Sequence, residues 1–465
     1  MGKKHHHIGR RKFLGQASCA ALASTTLMST LCNLKTINAA SILNSSTAVG
    51  GDYKALVCFL MSGGADSYNM LAPKGQSEWN EYAVTRSNLA IPRNDLLAIS
   101  PTNNVGLELG LHPSMPNMQS MFQNGDLSFI SNVGSMINGV DKDAIYAGTA
   151  DLPLGLFSHA DQVMHWQTGV PHDRVAQGWG GKIADMMQAG NSNQNISMNV
   201  SLGGSNLYQT GNTSIEFSID PYRGSTTING YGTENWMLNR TQAVDNMLDA
   251  YYGDMFKKTY IDIIKTGKEG AEQFQAATDN ITFNDTNFSD NYLSQSFHMI
   301  AKTIAAQSSL GMQRQIFFVD YGGWDHHDEV LNAQEEMLTE VDNALGEFMS
   351  ALEEINMKDC VTTFSMSEFG RTLTSNGNGT DHAWGGNVFV LGGAVQGRQV
   401  LGTYPSLALD TNIEIGGGVL IPGTSADEYF AELAMWFGVQ KSELTTLFPN
   451  LGNFYDGQGQ PLGFL

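Results

Sequence analysis

KALVCFLMSGGADSYN, residues 54–69, decides how the chain is to be read. Residues 54–62 form a continuous apolar run that ends at a glycine pair. Unbroken apolarity of this kind, without alternation, is how a strand covered on both faces reads. A strand covered on both faces requires helices above and below it, so one stretch already points to layered α/β architecture. The same signature recurs in QIFFVDY (315–321), CVTTFSMS (360–367) and NVFVLGG (387–393), with DLSFISNVG (126–134) and ISMNVSLGG (196–204) as further strands. Between them, Leu293, Phe297, Ile300 and Ile304 recur at helical spacing, as do Met337, Val341, Leu345, Phe348 and Leu352. The alternation predicts a three-layer α/β/α sandwich around a mostly parallel sheet.

Composition bounds the rest. The first 40 residues are basic, with Arg10 and Arg11 ahead of a mild run rich in Ala, Ser and Thr, and they resemble a twin-arginine export signal, an address read by the twin-arginine export machinery. INAA, residues 37–40, suits cleavage, and the expected destination is the periplasm or the medium. These 40 residues hold six of the 25 basic groups and no acid, leaving 19 bases against 46 acids in the rest. So acidic a chain repels nucleic acid phosphates. No later run approaches the roughly 18 apolar residues of a membrane span. Cys58 and Cys360 lie in strand-like runs and read as buried thiols rather than a disulfide framework. Residues 41–465 are expected to form one domain, with a polar, partly helical insertion near 205–290 that caps the sheet.

In an open parallel sheet, ligands collect beyond the carboxyl ends of the strands. Those positions are rich in metal-competent groups here. Asp66 and Ser67 follow the strand at 54; Asp325, His326 and His327 follow the strand at 315; Glu368 and Arg371 follow the strand at 360; Asp381 and His382 precede the strand at 387. With His5 to His7 at the N-terminus set aside, eight histidines remain, and two of these are adjacent between Asp325 and Asp328. Carboxylate mixed with imidazole suits a divalent metal, Zn first, with Mn or Fe sharing the donor set and Ca or Mg suited if oxygens dominate. Arg371 can hold an anion bidentately or neutralise Glu368. Asp161 and His165, one helical turn apart, can pair.

Taken in order, GGADSYN, SHADQVMHWQTG, GGWDHHD, SEFGRT, DHAWGGNVFVLGGAVQG and FPNL resemble the secreted bacterial family of domain of unknown function 1501, within the alkaline phosphatase-like superfamily. The resemblance runs from about Lys54 to the C-terminus. It implies an alkaline phosphatase-like α/β/α fold, metal at the strand ends and a nucleophile at a helix start. By that resemblance Asp66, Asp325, His327, Glu368 and His382 are the metal ligands. Phe369 stands after Glu368 where the superfamily has His, and Asp325 and His327 are only two apart, which implies one ion or a different metal. Ser158 is the nucleophile that opens a helix, where it can equally serve as a cap; Ser67, beside Asp66, is the rival. No Cys or Ser precedes the x-Pro-x-Arg pattern that directs formylglycine formation in sulfatases. The expected function is hydrolysis of phosphate, sulfate or related esters, on a small molecule or a polymer. The alternative is a non-catalytic binding or surface-assembly protein on the same scaffold. An oxidoreductase is disfavoured, because LGGAVQG is followed by extended rather than helical sequence and so fails as a dinucleotide fingerprint.

Overall fold

The computed structural model describes residues 53–225, 228 and 230–465; the export signal expected in residues 1–40 lies outside the described residues. Among the described residues, ten strands build the main sheet: β1 Lys54–Leu60, β2 Leu127–Gly134, β3 Asn199–Ser201, β4 Phe217–Asp220, β5 Gly224–Ser225, β6 Arg314–Asp320, β7 Val361–Met366, β8 Gly386–Leu391, β9 Val400–Leu401 and β10 Thr424–Ser425. Their order is β9-β2-β8-β7-β1-β6-β3-β4-β5, with β10 also paired to β2. β1 pairs in parallel with both β7 and β6, and β6 in parallel with β3. β8 runs antiparallel to β7 and to β2. That reversal matters for the site, because the residues entering β8 lie at the edge where the parallel strands end.

The apolar run of β1 behaves as its composition demands. Ala55, Val57 and Phe59 enter one core, Leu56, Cys58 and Leu60 the other. Alternation about a central strand with every side chain from Ala55 to Leu60 buried requires cover on both faces. Among the described residues, nine helices of eight or more residues are numbered in chain order: α1 Gln76–Arg86, α2 Pro116–Asn124, α3 His159–Thr168, α4 Trp179–Met187, α5 Leu238–Asp249, α6 Met255–Thr278, α7 Tyr292–Ala305, α8 Val330–Glu354 and α9 Ala426–Phe437. α2, α7 and α8 cover the first face through Phe122, Phe297, Ile300, Val341, Leu345 and Phe348. α3, α4 and α9 cover the second, where Trp179 stacks on Phe430 at 5.1 Å. Each fully buried large apolar side chain contributes roughly 1.5–3 kcal/mol, so the two faces account for the sandwich without further devices.

The expected strands and the two helical patterns are all present. Within the segment expected as an insertion, β4 and β5 extend the sheet edge, and α5 and α6 follow. Cys58 is buried, Cys360 is half-buried, and neither is in a disulfide. Among the described residues no helix is long and apolar enough to cross a membrane.

Candidate metal centre

The glycine pair after β1 explains how distant loops meet. Gly63 has φ +124°, and a Cβ there would lie 2.4 Å from the backbone nitrogen of Asp325; at Gly64, φ +84°, it would strike the ring of Phe369. Only glycine permits both the left-handed turn and the close approach. The loop after β6 and the loop after β7 therefore close onto the end of β1. The Gly63 N–H donates to Glu368 Oε1 at 2.8 Å, tying two of them together.

At this edge three imidazoles face one another. His159 Nε2 lies 3.0 Å from His382 Nε2, and His382 Nε2 lies 3.1 Å from His327 Nε2. Asp325 completes the group: Oδ1 is 3.0 Å from His327 Nε2 and 3.3 Å from His382 Nε2, while Oδ2 is 3.4 Å from His159 Nε2. His159, Asp325 and His382 each offer a donor atom within 4.8 Å of the other two. Metal–ligand distances of about 2.0–2.1 Å place neighbouring donors about 3.0–3.4 Å apart in tetrahedral or octahedral coordination. The measured separations fall in that interval.

The outer nitrogens fix which atoms face inward. His382 Nδ1 is 2.9 Å from the carbonyl oxygen of Phe157, an acceptor only, so Nδ1 carries the hydrogen and donates it. His159 Nδ1 donates to Glu368 Oε1 at 2.9 Å, and His327 Nδ1 to Asp381 Oδ1 at 3.2 Å. With Nδ1 as the donor, it is Nε2 of each ring that is turned to the shared point. Lone pairs 3.0 Å apart repel unless a proton or a cation sits between them. Rings held by outer carboxylates and a carbonyl, with bare nitrogens turned inward, are the arrangement of metal-ligating histidines. This donor set fits a divalent ion.

Arg371 is fully buried and donates to Asp325 Oδ1 at 2.6 Å, while Asp325 itself is 43% exposed. Burial works to raise the Asp325 carboxyl, but the Arg371 hydrogen bond and charge, with His327 and His159, outweigh it and hold the group below the usual carboxylate range. Asp325 is thus kept ionised as a ligand must be. Arg371 donates to Asp325 and to the Thr380 carbonyl, and Glu368 is not among its hydrogen-bond partners. Phe369 packs beneath both His159 and His382, with ring centroids 4.9 and 4.7 Å away.

Placement of the expected residues is uneven. Asp325, His327 and His382 come together, and Glu368 stands one shell out, orienting His159 and leaving its buried Oε2 unpartnered. Asp66 is elsewhere: its side chain is fully buried against the guanidinium of Arg86, which draws it away from the cluster. Ser67 is buried too, its Oγ accepting the Asn387 N–H at 2.7 Å. Ser158 occupies the N-cap of α3, and its side chain makes no capping hydrogen bond there. Asp161 pairs with Arg174 rather than His165. Of the adjacent histidines only His327 faces the cluster, whereas His326 is buried, with Nδ1 unpartnered. The residue that sequence reasoning missed is His159, although it shares the helix-opening motif with Ser158.

A family match to "Protein of unknown function (DUF1501)" spans residues 53–415. The chain belongs to the DUF1501 family. No curated protein matches this DUF1501 chain. Solved structures similar to it include the lipoteichoic acid synthase LtaP from Listeria monocytogenes (9% identity, TM-score 0.30, covering 84% of this chain and 73% of that one). The PsFucS1 sulfatase from Pseudoalteromonas sp. is similar at 11% identity and TM-score 0.31, over 88% and 72%. A variant of the alkaline phosphatase PafA is similar at 10% identity and TM-score 0.29, over 69% and 64%.

Proposed function

We propose that this DUF1501 protein is an exported, metal-dependent hydrolase of phosphate, sulfate or related esters, with its centre formed by His159, Asp325 and His382 and with His327 as the adjoining ligand. The observation that supports it is the inward-facing set of Nε2 lone pairs beside an ionised carboxylate. Three imidazoles and one carboxylate suit zinc best, with Mn, Ca or Mg as the other divalent ions to test. A divalent ion bound there would polarise the ester oxygen and lower the pKa of the attacking group. Glu368 and the Phe157 carbonyl hold the His159 and His382 rings, and Arg371 keeps Asp325 charged. Ser67 is locked into the fold, its Oγ accepting the Asn387 N–H, so the attacking group we favour is water, with Ser158→Ala as the check on the serine route. The choice of ester class comes from the motif resemblance to the alkaline phosphatase-like superfamily.

Elemental analysis of the purified protein should find about one divalent ion per chain. His382→Ala should weaken binding at least about 100-fold, since losing even an outer partner of a ligand costs 10–100-fold. Aryl phosphates, phosphodiesters and aryl sulfates, assayed with and without chelator, should reveal chelator-sensitive turnover of one class. Stoichiometric metal with no turnover of any class would favour the second reading, a binding or surface-assembly protein. One observation supports that reading: Phe256 and Tyr260, one helical turn apart on α6, are 86% and 64% exposed, and exposed apolar patches mark interaction surfaces.

A further inference from the structure

The turn that delivers His159 is unusual. Gly155 to Ser158 closes with the Ser158 N–H donating to the Gly155 carbonyl at 2.9 Å, and two of its residues are left-handed: Gly155 at φ +62° and Phe157 at φ +73°. Glycine takes that conformation freely; an aromatic residue does not, and such outliers persist only where the surroundings enforce them. The Phe157 ring is 37% exposed, so burial of the side chain does not enforce it. Its carbonyl does have a task, since it accepts the His382 Nδ1 hydrogen at 2.9 Å. The next two residues are the N-cap of α3 and His159. One backbone conformation thus aims the acceptor that fixes the His382 tautomer and starts the helix that carries the facing imidazole.

We propose that Phe157 is a positioning residue of the metal centre, acting through its left-handed backbone rather than through its ring to hold His382 and His159 with their Nε2 atoms converged. The inference rests on reading the cluster as a metal centre. Valine, β-branched and averse to positive φ, should break this geometry, while glycine and asparagine, which adopt it, should preserve it.

The test measures zinc affinity by competition against a chromophoric chelator for the wild type and for Phe157→Val, Phe157→Gly and Phe157→Asn. Phe157→Val should bind zinc 10–100-fold more weakly, the loss expected for an outer partner; Phe157→Gly and Phe157→Asn should lose less than about 10-fold, below that range. Equal weakening of all three would assign the effect to the ring, and no weakening in Phe157→Val would remove Phe157 from the centre; either result overturns the proposal. A second readout needs neither metal nor a folded valine variant: nitrogen NMR of histidine-labelled, metal-free protein should find His382 protonated at Nδ1 in wild type and in Phe157→Gly. Protonation at Nε2 in both overturns the proposal. Should the wild type bind no zinc or other divalent ion, the metal-centre reading fails, and the tautomer measurement still decides whether Phe157 orients His382.

Discussion

Replacing Arg86 by methionine should destabilise the folded protein by about 3–5 kcal/mol and leave its metal content unchanged. Both side chains of the Asp66–Arg86 pair are fully removed from water. Arg86 also donates to Asn69 Oδ1 at 3.1 Å and to the Thr372 carbonyl at 3.1 Å, while Asp66 Oδ1 has no partner at all. Removing the arginine strands a buried carboxylate, which is the costly half of breaking such a pair. Removing both charges costs far less, because well-packed apolar replacements of a buried pair are often neutral. Arg86→Met combined with Asp66→Leu should therefore recover most of the lost stability. Denaturant unfolding alongside elemental analysis measures both effects. If Arg86→Met kept its stability and lost its metal, Asp66 would return to the ligand set.

The second large effect is acid destabilisation of the metal-free protein. Burial pushes His112 and His165 down to about 4, and both are almost wholly enclosed, at 3% and 1% exposure. His165 has no hydrogen-bond partner on either ring nitrogen. In the unfolded chain each protonates near 6.5; in the folded chain each resists down to about 4. Between these values the unfolded state binds more protons, so stability falls as pH falls. The loss begins below about pH 6.5 and is complete near pH 4, at about 3 kcal/mol for each histidine. Unfolding measured with chelator at pH 7 and pH 4.5 should show the drop, and His165→Met should remove about half of it. A drop of the same size in His165→Met would mean that His165 is not the source.

The strands and long helices were legible because burial imprints a local period. β1, β6, β7 and β8 read as unbroken apolar runs, and α7 and α8 as repeats of three and four residues. Neighbouring side chains alone decide such patterns. The convergence of Asp325, His327 and His382 was legible for a related reason: each follows or precedes a strand at one sheet edge, where an open sheet gathers its ligands.

His159 was not legible, because nothing local separates it from His165, six residues on. One faces the cluster and the other the interior, which is settled by how α3 is rotated against the sheet. Nor was the direction of β8 legible; its apolar run is the same read either way. Were β8 parallel, His382 would enter at the opposite edge, a strand length from Asp325. Asp66 follows β1 as a ligand should, yet Arg86, twenty residues on, captures it.

The amino-acid sequence by itself determined the layers, the order of strands and helices, and the loops that carry chemistry, since these follow from periodicity and from glycine at forced turns. Tertiary structure alone decided which side chains share a point. Convergence depends on strand direction, helix rotation and competition among charges, and these bring together residues far apart in the chain, from 20 positions for Asp66 and Arg86 to 305 for Gly63 and Glu368.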